Sequence, residues 1–235
     1  YDMIFSIATP PTQALVNTET DTPVFFCAVS APTAAGILTD MDKPDKNATG
    51  TSNAIPVSKI IDLAQTTTPV KKIGLIYSGN EDNATNTVKQ CEEYLKSINV
   101  EYVEKTAASS NDVETATNAL IAEGAEAIFV PNDSIIQDGV SKLTEICNEK
   151  KIPTYCSSAT TVASGCFATL AIDDKGIGNK TVDIAMDYVN GKEVADIPAQ
   201  VVGIDYCSVN KSAMKILGIS EDDIKTDYKL NVIEN

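Results

Sequence analysis

The sequence predicts an α/β fold with parallel sheets flanked by helices, arranged in two lobes. Short apolar runs alternate with segments of helical periodicity along most of the 235 residues, and repeated βα units give parallel sheets with helices on both faces. Hydrophobic residues make up 43% of the chain, so a packed core is expected rather than disorder. A segment rich in Thr, Asn and Pro at 39–56 interrupts the alternation and is the best candidate for a crossing between the lobes.

The N-terminal part predicts a strand, a helix and a second strand. An apolar run at 2–8 predicts the first strand, and 10–17 predicts a helix with Pro near its first turn. The run Pro-Val-Phe-Phe-Cys-Ala-Val at 23–29 predicts the second strand. Residues 30–56 are rich in Pro, Thr, Asn and Gly and predict loops.

From residue 57 onward the alternation is regular. The predicted helices are 57–67, 83–98, 112–122, 134–149, 175–189 and 211–217, and the predicted strands are 72–78, 101–106, 127–130, 153–157 and 167–172, with an extended segment at 197–206. The second of these helices carries apolar residues from Val88 to Ile98 at spacings of three, four and three, which places them on one face. Asp112 is the expected N-cap of the third helix, and Gly124 its end.

Composition excludes several functional classes. The chain has 18 basic and 33 acidic residues, a net charge of −15, and contains no Arg, His or Trp. Without His, Ser-His-Asp catalysis, Cys-His catalysis and His-ligated zinc are excluded. An acidic chain without Arg is a poor candidate for binding nucleic acid. A ligand carboxylate would have to be held by backbone N–H groups, hydroxyls, amides or a lysine.

The six cysteines form no CxxC pair, so we expect no metal site. We also expect no cofactor. Cys27, Cys91 and Cys147 lie in apolar patterns and are predicted to be buried thiols. We expect mostly free thiols, and a Cys156–Cys166 disulfide stays open as an alternative. No run of about 20 apolar residues predicts a membrane span. No signal peptide is present, so any export signal has been removed or lies upstream.

Small polar residues follow the predicted strands, where parallel sheets bind ligands. The candidate ligand-binding residues are Thr9, Ser30, Tyr77, Ser78, Asn83, Ala84, Asn132, Asp133, Ser157 and Asp173. Such a set suits a zwitterion, with hydroxyls and a helix N-terminus for its carboxylate and an Asp for its ammonium group. Any single residue of this kind is more often only a helix N-cap, so the prediction depends on the set.

Several short motifs occur in an order that resembles a known family, the ABC transporter substrate-binding proteins, which include tryptophan-binding lipoproteins. They are Ala8-Thr9-Pro10, Ala28-Val29-Ser30-Ala31-Pro32, Asn47-Ala48-Thr49-Gly50, Pro69-Val70-Lys71-Lys72-Ile73-Gly74, Pro131-Asn132-Asp133, Ala195-Asp196-Ile197-Pro198, Val209-Asn210 and Leu217-Gly218-Ile219. The resemblance runs from residue 2 to about residue 220.

The resemblance implies a type I periplasmic-binding fold with the ligand in a cleft. It also implies an amino-acid-like ligand, an ABC transporter permease as partner, and a location outside the cytoplasm. Attachment to the membrane would be only through a lost N-terminal lipid anchor. The positions that match the family as cleft residues are Thr9, Ser30, Tyr77, Asn83, Asp133, Ser157 and Asp173.

The chain departs from the family pattern in three places. Ala31 stands where the family usually has Asp, and Asp174 stands where an aromatic residue usually follows Asp173. The family also begins with a further βα unit and strand, so we expect an N-terminal part to be missing and lobe 1 to be incomplete. The expected division is 1–52 with 173–196 as lobe 1, 53–172 as lobe 2, and 197–235 as a hinge crossing and C-terminal segment.

Three functions remain open from the sequence. The leading one is non-catalytic delivery of a small polar ligand, expected to be an aromatic amino acid, by lobe closure. The second is an enzyme on a similar scaffold that uses Asp133 or Asp173 as acid or base. The third is the ligand-sensing core of a transcription regulator, which would need a helix-turn-helix segment and a basic surface.

Overall fold

The computed structural model describes residues 1–18 and 21–234. The chain forms two compact units: unit 1 comprises Tyr1–Ala54 and Ile172–Ile204, and unit 2 comprises Ile55–Ala171 and Asp205–Asn235. The segment 197–235, which we expected to be a separate hinge and C-terminal segment, contributes residues to both units.

The elements are numbered in chain order. The strands are β1 (Ile4–Ile7), β2 (Val24–Cys27), β3 (Ala48–Ser52), β4 (Lys72–Tyr77), β5 (Glu101–Thr106), β6 (Ala127–Val130), β7 (Thr154–Cys156), β8 (Ala168–Ala171), β9 (Gln200–Val201), β10 (Tyr206–Asn210) and β11 (Lys229–Ile233). The helices are α1 (Thr9–Val16), α2 (Val57–Thr67), α3 (Asp82–Ser97), α4 (Val113–Ala122), α5 (Ser134–Asp138), α6 (Val140–Glu149), α7 (Ala159–Ala163), α8 (Asp174–Val189) and α9 (Lys211–Leu217).

Unit 1 is built on a parallel sheet of four strands in the order β1-β2-β3-β9. Residues on β2 alternate between its two faces. Val24 and Phe26 pack in one apolar cluster with Val16 of α1, whereas Phe25 packs in another with Ile184 of α8. Helices therefore cover both faces of this sheet, as predicted.

The prediction of loops throughout 30–56 is wrong at β3, whose five residues are all buried. Thr49 Oγ1 donates to the Ile197 carbonyl at 2.7 Å, and the Thr51 hydroxyl is 2.7 Å from the Thr181 hydroxyl. A Cβ at Gly50 would lie 1.9 Å from the Phe26 carbonyl oxygen. Small and hydroxyl-bearing residues stand here because neighbouring backbone approaches closely and their hydroxyls find partners.

Unit 2 contains a sheet of seven strands in the order β11-β10-β8-β7-β6-β4-β5. The pairs are parallel except that β10 runs antiparallel to β8. The sequence predicted an extended segment only up to residue 206, and it missed β11. The boundaries predicted for α2, β5, β6 and α9 are confirmed.

The predicted helix 134–149 is two helices, α5 and α6, separated at Gly139. A Cβ at Gly139 would lie 2.6 Å from Val113 Cγ2, so only glycine allows the start of α4 to pack here. Asp112 stands at the N-cap position of α4, as predicted, but its side chain makes no capping hydrogen bond to that helix. Its carboxylate accepts hydrogen bonds from the backbone N–H and hydroxyl of Ser109, at 2.9 and 2.8 Å, in a short 3₁₀ helix.

All six cysteines are free thiols, and five are buried while Cys27 is half-buried. Burial of Cys91 and Cys147 is confirmed, whereas Cys27 is more exposed than predicted. In the part of the chain that the structure describes, no helix is both long and apolar enough to cross a membrane.

Candidate functional site

Seven of the predicted ligand-binding residues lie in unit 2, at or just beyond the carboxyl ends of neighbouring strands. Ser78 follows β4, Asn132 and Asp133 follow β6, and Ser157 follows β7. Strands β4, β6 and β7 are adjacent in the sheet and parallel, so these residues emerge at the same edge. Hydrogen bonds connect several of them directly.

Asp133 joins two strand ends. It is buried, and its Oδ2 accepts a hydrogen bond from the Ser78 backbone N–H at 2.7 Å. Its Oδ1 accepts from the N–H groups of Ile135 and Ile136 at 3.0 and 3.2 Å, so it is also the N-cap of α5. These bonds to the charged carboxylate fix the loop after β4 against the loop after β6.

Two further side chains, from the segment after β4, bond backbone groups of the loop after β6. Asn83, in the first turn of α3, donates from Nδ2 to the Asn132 carbonyl at 2.7 Å. Glu81, just ahead of α3, accepts from the Ser134 N–H at 2.9 Å. Each loop therefore holds backbone groups of the other, and the two helix starts are positioned together.

The Asn83 amide has a defined orientation with one oxygen left over. Because Nδ2 donates to a carbonyl, Oδ1 must point the other way. Asn83 is only 5% exposed, and among the described residues Oδ1 has no hydrogen-bond partner. Three other buried side-chain oxygens also lack a hydrogen-bond partner among the described residues, but none belongs to a predicted site residue. They are the hydroxyls of Thr67, Thr161 and Ser208. A buried acceptor without a donor costs about 1–3 kcal/mol, so a donor from a ligand would be stabilising here.

Tyr77, Ala84 and Ser157 complete the unit 2 set. Tyr77 is half-buried, and its hydroxyl donates to Glu104 Oε2 at 3.3 Å. Burial raises the pKa of Tyr77 above its ordinary value, and the Glu104 carboxylate adds to this rise. Ala84 is buried in α3, and Ser157 is half-buried with its N–H bonded to the Val130 carbonyl at 3.0 Å.

Thr9, Ser30 and Asp173 lie in unit 1. Thr9 is the first residue of α1 and is buried. Ser30 Oγ donates to Asn53 Oδ1 at 2.9 Å, which connects the end of β2 to the end of β3. Ala8 and Ala28, directly after β1 and β2, have φ angles of 69° and 57°. Such backbone costs about 1–3 kcal/mol for a residue other than glycine, and it is concentrated at functional sites.

Asp173 is the N-cap of α8 and is exposed. Its Oδ2 accepts from the Gly176 N–H at 2.9 Å and its Oδ1 from the Lys175 N–H at 3.3 Å. Asp173 therefore has the helix-capping role that is ordinary for an Asp at this kind of position.

Sequence reasoning missed two residues that support this arrangement, Glu81 and Asn53. Glu81 bonds a residue 53 positions away, and Asn53 bonds Ser30, 23 positions away. Local sequence carries no signal for such pairings. Asn53 directly follows strand β3, which the sequence did not predict. Because the end of β3 lies beside the end of β2 in the sheet, predicting β3 would have placed Asn53 near Ser30.

Other features of unit 2 do not coincide with these residues. A cavity of about 190 Å³ is lined by side chains of α2, Leu170 and residues 225–228, none of which belongs to the predicted set. Among the described residues, no group of three or more Cys, Asp or Glu side chains is placed to hold a metal ion.

Comparison with known proteins identifies related chains. A family model described as ABC transporter substrate binding protein matches residues 1–227. A tyrosine-binding protein of Clostridioides difficile strain R20291 is 34% identical over 228 residues, which cover 95% of this chain and 66% of that protein. This chain thus spans about two thirds of the length of that relative.

Two solved structures are similar over nearly all of this chain. A conserved domain protein from Vibrio cholerae O1 biovar El Tor is 31% identical with a TM-score of 0.89, covering 98% of this chain and 78% of that chain. An ABC domain from Streptococcus pneumonia, in complex with L-Trp, is 29% identical with a TM-score of 0.89, covering 99% and 79%. The likeness confirms the predicted type I periplasmic-binding fold.

Proposed function

Because this chain belongs to the ABC transporter substrate-binding protein family, we propose that it binds an aromatic amino acid outside the cytoplasm and delivers it to an ABC importer. Two relatives support the ligand class, since one is named for tyrosine and the other was solved with L-Trp. The observation that carries the proposal is the Asn83 amide, a fixed and buried acceptor without a partner among the described residues.

The polar groups of unit 2 suit a zwitterion. The ligand ammonium donates to Asn83 Oδ1, which removes the cost of leaving that oxygen without a donor. The hydroxyls of Ser78 and Ser157 donate to the ligand carboxylate, a role that hydroxyls take in a chain without arginine. Asn132 and Asp133 position these groups. Tyr77 contacts the ligand's side chain, and Thr9, Ser30 and Asp173 are further ligand contacts.

Binding proceeds without turnover in this proposal. The chain has no histidine, and Asp133 is committed to three backbone N–H groups, which leaves it poorly placed as an acid or base. Incubation with L-tyrosine should therefore return the amino acid unchanged when it is recovered and analysed by chromatography. Loss of ligand with time would favour an enzyme instead.

A thermal-shift titration tests the ligand class. L-Tyrosine, L-tryptophan and L-phenylalanine should raise Tm in a saturable way, because a ligand at 100 times its Kd stabilises the folded state by about 2.7 kcal/mol. D-Tyrosine and D-ribose are the controls and should leave Tm unchanged. A shift with ribose, or none with any aromatic L-amino acid, would contradict the proposal.

Substitution of Asn83 tests the site. Asn83→Ala should weaken amino-acid binding about tenfold or more, corresponding to about 1.4 kcal/mol, since a hydrogen bond to a charged group is worth about 1.5–3 kcal/mol. Asn118→Ala is the matched control, because Asn118 is an exposed asparagine on α4 of the same unit. Calorimetric titration of both variants should separate them, and equal affinities would remove Asn83 from the site.

A further inference from the structure

The cavity beside α2 lies within unit 2 and shares no residue with the candidate ligand site. Its lining side chains come from α2, from Leu170 of β8 and from the segment 225–228, which leads into β11. This space, here called the α2 cavity, has a volume of about 190 Å³. An engineered apolar cavity of about 150 Å³ holds benzene, so the α2 cavity accommodates a molecule slightly larger than benzene.

Internal contacts hold the two walls of the α2 cavity in place. Thr66 Oγ1, on α2, lies 3.4 Å from the Lys225 carbonyl oxygen, which it can reach as a donor. The Tyr228 N–H donates to Thr226 Oγ1 at 3.2 Å, and Ile224, just ahead of this segment, is buried. Both walls are therefore ordered by the protein itself, as is usual for ligand pockets.

Part of the lining of the α2 cavity is apolar. Leu63 and Leu170 line it although they are only 4% and 3% exposed, and the half-buried ring of Tyr228 adds further apolar surface. A ligand that covers these side chains removes apolar surface from water, which favours binding. The lining therefore suits a molecule that has an apolar part.

Four charged side chains also line the α2 cavity, and two of them have partners within the protein. The Asp62 carboxylate accepts a hydrogen bond from the Tyr94 hydroxyl of α3. Lys225 Nζ donates to the Asp222 carbonyl at 2.6 Å. These two charges are therefore already engaged in holding the surroundings of the cavity together.

The other two charges, on Lys59 and Asp227, are opposite in sign and uncommitted. Within residues 1–18 and 21–234, neither the Lys59 ammonium nor the Asp227 carboxylate forms a hydrogen bond or an ion pair. They do not pair with each other, although both side chains line the same cavity. A molecule that carries one charge of each sign can bridge them, because each of its charges then meets the opposite charge.

We infer that the α2 cavity binds an amino acid with a short aliphatic side chain, separately from the ligand proposed above. Lys59 binds its carboxylate and Asp227 its ammonium group, while Leu63 and Leu170 contact the aliphatic chain. Pockets for drug-sized ligands measure roughly 300–1,000 Å³, so the smaller volume here favours a short side chain over one as large as indole. Binding in this cavity does not depend on the proposed function, because none of these residues is a predicted ligand contact.

Methyl chemical-shift mapping by NMR tests the α2 cavity, with L-leucine as the probe and L-tyrosine present throughout. Increasing L-leucine should shift the methyl signals of Leu63 and Leu170 in a saturable way. The analogues 4-methylpentanoate and 3-methylbutylamine each lack one of the two charges and should each bind about threefold more weakly or worse, as expected for the loss of one exposed ion contact. Absence of a saturable shift at both leucines, or analogues that bind as well as L-leucine, would overturn the inference.

Variants assign the two charge contacts. Lys59→Gln and Asp227→Asn should each weaken L-leucine binding about threefold or more, and circular dichroism should show that both fold, since both side chains are exposed. Lys89→Gln and Asp183→Asn make the same charge changes at exposed positions outside the cavity and should leave binding unchanged. Equal affinities in the cavity variants and their controls would overturn the inference. If L-leucine shifts the Leu63 and Leu170 methyl signals while L-tyrosine binds nowhere, the proposed function fails and the α2 cavity stands.

Discussion

Asp133 and Asp173 occupy the same kind of position, after a strand and directly before a helix. Asp133 is buried and accepts from three backbone N–H groups, whereas Asp173 is exposed and caps α8 through two. Exposure allows Asp173 to meet a ligand, since a carboxylate has about four lone-pair sites. The same sequence pattern therefore gives a structural role to Asp133 and a candidate binding role to Asp173.

Replacing Asp173 with serine separates these two roles. Serine keeps a capping oxygen, so Asp173→Ser should change the free energy of unfolding by only a few tenths of a kcal/mol, while Asp173→Ala should lose about 1 kcal/mol. Because Asp173 is a proposed ligand contact, both variants should lose most of the Tm rise that L-tyrosine produces. A full rise in the serine variant would show that Asp173 serves only as a cap.

The sequence named the candidate residues, but it showed neither which of them bond one another nor their further partners Glu81 and Asn53. Ser78, Asp133 and Ser157 were identifiable because polar residues after apolar runs mark strand ends. Glu81 was not identifiable, since its bond to Ser134 depends on β4 and β6 being neighbours in the sheet. The order of strands in a sheet belongs to the tertiary structure and cannot be read from local patterns in a single sequence.

Elements with a strong local pattern were predicted closely, and those defined by close packing were not. Helix α2 and strands β5 and β6 have the predicted boundaries. The buried residues of α2 recur at helical spacing, and β6 is a short continuous apolar run, which are both patterns that a sequence shows directly. Strand β3 was missed because Ala-Thr-Gly-Thr-Ser lacks large apolar residues. The break at Gly139 was also missed, because the contact that requires glycine there is with Val113, 26 positions earlier in the chain.

Gly50→Ala tests the packing that explains β3. The new Cβ would lie 1.9 Å from the Phe26 carbonyl oxygen, which is backbone and cannot rotate away. Strands β2 and β3 would have to separate, so we expect a loss of about 3 kcal/mol or more in the free energy of unfolding of unit 1, in the upper range for point substitutions. Urea unfolding followed by far-UV circular dichroism measures this loss.

Gly178→Ala is the matched control for that substitution. Gly178 lies within α8, and a Cβ there would meet nothing within 4 Å. Alanine is favoured over glycine in a helix interior by about 0.5–1 kcal/mol, so this variant should be slightly more stable than the parent. A Gly50→Ala variant as stable as Gly178→Ala would refute the packing account of β3.

For the whole molecule, buried thiols set a limit to stability at alkaline pH. Burial raises the pKa of Cys91, Cys147 and Cys207 from 9.0 to about 12. All three lie in unit 2. In the unfolded chain these thiols ionise near their ordinary value, whereas in the folded chain they stay neutral. The stability they contribute is therefore fully present below pH 9 and is lost as pH rises toward about 12.

The size of this effect is measurable. Burial also raises the pKa of Cys156 well above its ordinary value. Each of the four thiols lowers the free energy of unfolding by at most about 1.4 kcal/mol per pH unit, so together they give about 5–6 kcal/mol per unit. Urea unfolding between pH 7.5 and 10, in a thiol-free reductant and monitored by circular dichroism, should show a level region followed by a steep decline. Cys91→Ala should reduce the slope of the decline by about one quarter while costing stability at every pH through lost packing. A decline of equal slope in both proteins would instead assign the pH dependence to the net charge of −15, because self-repulsion does not depend on one buried thiol.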